Sequence, residues 1–213
     1  MSLEIVPVIP QDFSTFTDIN LTGFDDKFPY FFQGLSREEY SPLVLSFYAR
    51  HYDLNTSANI DPGLYIVKNH TETIGAIQLG FVGHKRFGFP FIRNLIASKL
   101  HGLQAFRTSL IGFIDTHPSV APDSVLIERI AVVPEWHHRG VGMQIMQFVE
   151  SLARKRGLKR LILHVIERNT HAIHLYEKQG YQCIKKQYIP FVKRILRFRY
   201  LHIMEKHLIT STL

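Results

Sequence analysis

Two features of this chain have residue types and spacing suited to chemistry, and both lie between Leu126 and Lys178. The first is Glu128, a carboxylate set among Ile127, Ile130 and Val132. An apolar setting disfavours the charged form, which suits a group that takes up a proton near neutral pH. The plainer reading is an ion pair, with Arg129 or another cation, at the edge of a sheet. The second feature is the loop His137-His138-Arg139-Gly140-Val141-Gly142. Two glycines one residue apart let the backbone turn tightly with no Cβ to block a ligand. The first N–H groups of a following helix have no internal partners and carry partial positive charge, so they suit phosphate oxygens. A dinucleotide fingerprint needs GxGxxG, and Ile145 stands where the third glycine would be; a Walker loop needs GxxxxGK[ST], which is absent. Taken alone, the glycines fit an ordinary strand-to-helix turn equally well.

The elements that must hold these residues are legible around them. Leu126 to Val133 is a mostly apolar, β-rich run, as a buried strand requires, and Pro134 stops it. After the loop, Ile145, Met146, Phe148, Val149 and Leu152 recur at helical spacing. Arg154, Lys155 and Arg156 complement the negative end of that helix, and Gly157 caps it. Leu161 to Val165 is the next strand, and Thr170 to Gln179 the next helix.

In this order the segment resembles the GNAT N-acetyltransferase superfamily, whose signature loop is [Gln/Arg]-x-x-G-x-[Gly/Ala]. His137 departs from the first position, which removes one expected side chain and leaves the backbone amides. The entry strand IERIAVVPEW and the later Asn169, Ala172, Leu175, Tyr176 and Gly180 are also similar to the family pattern. The resemblance covers about a quarter of the chain. It implies a mixed α/β (α+β) fold: a central, mostly antiparallel sheet with a parallel pair at the cofactor site and helices on both faces. It implies acetyl-CoA as co-substrate, with pyrophosphate at His137, His138, Arg139, Gly140, Val141 and Gly142. The backbone of Ile130, Ala131 and Val132 is then expected to meet the pantetheine arm and thioester carbonyl, and Asn169 to touch the cofactor, although a helix N-cap is equally natural there. Glu128 matches an acidic residue used as general base in part of the family, and Tyr176 its usual general acid, a phenol able to protonate a departing thiolate.

Composition sets limits. A chain of 213 residues, 46% of them hydrophobic, can bury a real core and is expected to form one domain over residues 1–213. The lone Cys183 excludes an intramolecular disulfide and suits a reducing, cytoplasmic compartment; it reads as a strand residue and not a nucleophile. Glu4, Pro7, Pro10 and Asp12 interrupt any signal-peptide core, and no stretch is apolar enough to span a membrane. The net charge of +7 points to anionic partners. No metal is expected, since His171 and His174 have no third ligand at metal spacing. No motif supports nucleic acid as a partner.

Upstream, Glu4 to Ile9 is expected as a short strand and Gln11 to Asn20 as a helix. Ser36-Arg37-Glu38-Glu39 forms a capping box and Ser41-Pro42 is also a good helix start, so a first turn is expected near Ser36 and a main helix from about Ser41 to Tyr52. Leu64–Lys68 and Thr73–Phe81 form a hairpin around Asn69–Glu72, and Tyr181–Tyr188 with Phe198–Lys206 a second one. The insertion at about 83–122 is the individual part. Its apolar residues from Ile92 to Ile114 recur at helical spacing, and every charge from Lys85 to Arg107 is positive. A helix folded over its own domain beside the acceptor site is favoured over a weak membrane-surface contact through 85–114. The resulting expectation is transfer of an acetyl group from acetyl-CoA to a small-molecule or peptide primary amine, by direct attack in a ternary complex. The alternatives are a non-catalytic acyl-CoA-binding regulatory module and a basic membrane-surface binding protein; monomer and dimer are both open.

Overall fold

The computed structural model describes residues 3–23, 36–85, 120–188 and 198–208. Among them are seven strands in one sheet of order β1-β2-β3-β4-β5-β7-β6 and four α-helices. The strands are β1 (Leu3–Pro7), β2 (Leu64–Asn69), β3 (Glu72–Gly80), β4 (Ser124–Val132), β5 (Arg160–Ile166), β6 (Gln182–Tyr188) and β7 (Tyr200–His207). The helices are α1 (Phe13–Gly23), α2 (Arg37–Thr56), α3 (Val141–Lys155) and α4 (Thr170–Lys178). All neighbouring strands run antiparallel except β4 and β5, the pair joined by the α3 crossover. The expected fold class therefore stands.

Each face of the sheet carries its own core. On one, Val141, Ile145, Met146, Val149 and Ala153 of α3 meet Ile77, Leu79, Val125, Ile127, Leu161 and Leu163, with Ala172, Ile173 and Tyr176 of α4 packed alongside. The helical spacing of those α3 residues is what turns one stripe onto the sheet. On the other, Phe16, Ile19 and Leu21 of α1 and Tyr40, Val44 and Tyr48 of α2 cover Leu64, Ile66, Ala76 and Ala131. The rings of Phe16 and Tyr48 meet edge-on, with centroids 4.9 Å apart. A Cβ on Gly23 would lie 2.7 Å from that of Ala131, so α1 ends almost on the backbone of β4.

Several boundaries differ from expectation. A 3-10 turn at Pro10–Asp12, closed by the Asp12 carboxylate accepting from Ile9 N–H at 3.0 Å, takes the first residues of the expected first helix. The second helix starts at once from Ser36, whose N–H donates to the Glu39 carboxylate at 2.7 Å, and it runs through Pro42 to Thr56. The Ser36 capping box, and not Ser41-Pro42, sets the start of this helix. Residues 86–119, most of the insertion, lie outside the described residues. At its entrance, buried Asn55 accepts from Lys85 N–H at 2.8 Å and donates to Lys85 O at 3.2 Å.

Candidate active site

The site is built where β4 and β5 part. Their parallel register runs from Ser124↔Arg160 to Ile127↔Leu163, after which β4 continues on β3 and β5 on β7. The cause sits in the next residue. On β3, Gln78 faces Arg129 and Leu79 faces Ile127, so Glu128 is the extra residue of a β-bulge. A bulge bends its strand and re-aims a side chain. Past it, the β5 side of Glu128–Val132 has no neighbouring strand among the described residues, leaving backbone groups for another partner.

Glu128 is half-buried, and its Oε2 accepts from Gln78 Nε2 at 2.7 Å. Arg129 turns to the α2 side, where its Nη1 donates to the hydroxyl of Tyr48 at 3.1 Å. The alternative of a Glu128–Arg129 ion pair is not what these bonds show: the carboxylate takes Gln78 and the guanidinium takes Tyr48, on the fourth of seven strands. Neither Gln78 nor Tyr48 stood out in the sequence, although a single amide inside the apolar run Ala76-Ile77-Gln78-Leu79 was a signal.

The glycine loop follows β4 through a 3-10 turn at Pro134–Trp136. His137 folds back, its Nε2 lying 2.8 Å from Val132 O, so the ring bonds the end of β4. His138 and Gly140 both adopt left-handed backbone, with φ of 59° and 78°. Arg139 stacks on Trp136, its guanidinium carbon 5.1 Å from the ring centre. Gly140 is the N-cap of α3, and the first bond within the helix is Gln144 N–H to Gly140 O at 3.2 Å. The N–H groups of Val141, Gly142 and Met143 therefore precede the internal ladder and point out of the helix end. A Cβ on Gly140 would meet nothing within 4 Å, which leaves open space at the cap.

Tyr176 lies on the α3–α4 face, half-buried, its ring 5.9 Å from that of Tyr181. Burial pushes its phenol above the usual tyrosine range, so the hydroxyl keeps its proton. Asn169 caps α4, its Oδ1 accepting from Ala172 N–H at 3.2 Å, which is the plainer of its two expected roles. Among the described residues no group of three His, Cys, Asp or Glu could hold a metal, and no helix is long and apolar enough to cross a membrane. Glu128 lies on the bulge of β4 and Tyr176 packs on the α3–α4 side of the sheet. Amides at the start of α3 and along β4 are donors of the kind that suit an extended ligand with a phosphate group.

The family described as Acetyltransferase (GNAT) family matches residues 28–181. Streptothricin acetyltransferase of Streptomyces lavendulae is 35% identical over 72 residues, covering 34% of this chain and 38% of that protein. "Probable N-acetyltransferase camello" of Xenopus tropicalis is 28% identical over 82 residues, covering 38% of this chain and 37% of that protein. The chain thus spans well under half the length of these curated relatives. Among solved structures, Ard1 from Thermoplasma volcanium has a TM-score of 0.59 at 14% identity, covering 99% of this chain and 100% of that one. PaiA N-acetyltransferase from Thermoplasma acidophilum in complex with coenzyme A has a TM-score of 0.54 at 18% identity, covering 98% of this chain and 100% of that one. The structural likenesses concern the fold.

Proposed function

The chain belongs to the acetyltransferase (GNAT) family, and on that premise we propose that it moves an acetyl group from acetyl-CoA to a primary amine by direct attack in a ternary complex. The observation that carries this reading is the parting of β4 and β5 after Ile127↔Leu163, directly before a helix whose first amides are unpaired. The N–H groups of Val141, Gly142 and Met143 would take the pyrophosphate, and the backbone of Ile130–Val132 the pantetheine arm and thioester carbonyl.

In this reading the acceptor amine enters from the α1–α2 face. Glu128 removes its proton, directly or through a water, and the nitrogen lone pair attacks the thioester carbon. A C–N bond forms, the C–S bond breaks, Tyr176 gives its proton to the thiolate, and the phenolate so formed takes back the second proton released by the new amide nitrogen. Burial keeps Tyr176 in its protonated form at neutral pH, which a proton donor requires. Gly140 and Gly142 keep the helix end open, while Asn169 holds the start of α4 and so positions Tyr176 on the same helix.

Catalysis is favoured over a purely binding module by the presence of both a carboxylate at Glu128 and a protonated phenol at Tyr176, since acyl-CoA binding alone needs neither. The acceptor is a primary amine of small-molecule or peptide origin. The deciding experiment supplies acetyl-CoA with a panel of polyamines, aminoglycosides, amino acids and lysine-bearing or free-N-terminal peptides, detecting released thiol. Acetyl transfer to at least one class is expected, with loss in Glu128→Gln and Tyr176→Phe. Saturable acetyl-CoA binding with no transfer to any member would favour the binding module.

A further inference from the structure

We propose that Gln78 is a positioning residue, whose buried amide fixes the Glu128 carboxylate on the bulge of β4. This rests on the reading of Glu128 as the base. Gln78 sits in the part of β3 where Ala76, Ile77 and Leu79 are each 0% exposed, and it is itself only 6% exposed. A polar side chain so placed normally has all its groups satisfied. Here the Nε2 group donates to Glu128 Oε2 at 2.7 Å, while the buried Oε1 has no hydrogen-bond partner among the described residues. The amide therefore loses the hydration of one end, and its observed return is the bond to Glu128.

The orientation of that amide is physically determined. Turning it over would set Oε1 against the carboxylate, two acceptors with no proton between them. The bulge takes Glu128 out of the paired register of β3 and β4, and the Gln78 amide bonds its side chain across that break. Among the described residues, the neighbouring Arg129 bonds Tyr48 of α2 at 3.1 Å. A donor aimed at a carboxylate favours its ionised form, opposing the effect of the apolar neighbours. Gln78 thus performs two tasks for a base: it aims one oxygen and keeps the group able to accept a proton.

The test is Gln78→Met, which keeps length and removes both the donor and the orphaned oxygen. Protein labelled with carbon-13 at the glutamate carboxyl carbon is titrated by NMR, the Glu128 signal being assigned with Glu128→Gln. The Glu128 midpoint is expected to rise by about half to one pH unit in Gln78→Met. Turnover on the best amine of the panel should fall about tenfold, with coenzyme A affinity by calorimetry and thermal midpoint unchanged. Gln78→Asn, which retains the amide one methylene short, is expected to recover part of both effects.

An unmoved Glu128 midpoint in Gln78→Met overturns the inference, as does an equal loss of coenzyme A affinity, which marks a merely structural side chain. Should Gln78→Met not fold, Gln78→Leu is read by the same titration. Failure of the base reading looks different: Glu128→Gln then keeps full turnover, whatever Gln78 does to the titration.

Discussion

Ile127 and Leu163 form the last pair of the parallel ladder, and one residue later the bulge at Glu128 turns β4 away from β5. The parting follows from the register of the two strands, and among the described residues no strand covers the β5 side of β4 beyond this pair. Addition of coenzyme A is therefore expected to slow hydrogen–deuterium exchange in two separate segments, Glu128–Val132 and Gly140–Gln144. Protection of the loop without the strand would place only the phosphate end of the ligand correctly.

The two loop glycines are expected to respond differently to a methyl group. Gly140 has φ of 78°, where an L-residue is strained, so Gly140→Ala should cost about 1–2 kcal/mol of stability and weaken coenzyme A binding. A Cβ on Gly142 would stand 3.5 Å from Leu175 Cδ2, an ordinary contact with α4. Gly142→Ala should thus fold with its thermal midpoint nearly unchanged. Gly142→Val should crowd Leu175 and the open helix end together, lowering coenzyme A affinity at least tenfold in a folded protein. Calorimetry and thermal denaturation on all three variants check this.

The cofactor half of the fold was legible because local signals agreed there. The apolar spacing of α3, the cations and glycine at its end and the proline after β4 each act within a few residues. Glu128 was legible as a carboxylate in apolar company, but not as the bulged residue. That status depends on how β3 and β4 pair, and Gln78 is fifty positions away in the chain. A separation of 81 positions likewise hid the Arg129–Tyr48 bond, which joins β4 to α2. The first turn near Ser36 was legible from its capping box, but its continuity with the helix from Ser41 was not, because Ser41-Pro42 is also a good local helix start.

Tyr176→Phe removes one proton and keeps the ring that packs beside Tyr181. Turnover is expected to fall by about a hundredfold, within the usual range for a general acid, with coenzyme A affinity changed less than twofold. Burial raises the folded pKa of this phenol above the ordinary value of about 10. Its stabilising contribution is thus complete below the unfolded value and is lost as pH rises through the folded one. At neutral pH the donor is fully protonated, so wild-type activity should show no loss attributable to Tyr176 until well into the alkaline range. A pH–rate profile in both proteins reads this directly.

At the far end of α3 from the glycine loop, Arg156 reaches across to Asp61 and lies over the ring of Phe81, 4.3 Å from its centre. Asp61 also accepts from Tyr65 Oη at 2.6 Å and from Gly63 N–H at 2.7 Å. Burial alone would push the Asp61 carboxyl up, but the bonds from Tyr65, Arg156 and Gly63 outweigh it and hold the group below the usual aspartate range. A depressed folded pKa means stability that is present above the unfolded value, near 3.9, and lost as pH falls through the folded one. Asp61→Asn should therefore destabilise the protein at pH 7 by about 1–2 kcal/mol, allowing for its partial exposure, and flatten the loss of stability on acidification. Coenzyme A affinity at pH 7 should be unchanged, because the cluster lies at the opposite end of α3. Urea unfolding at pH 7 and pH 3 tests the sign. Equal losses in wild type and variant between those two conditions would remove Asp61 as the linked group.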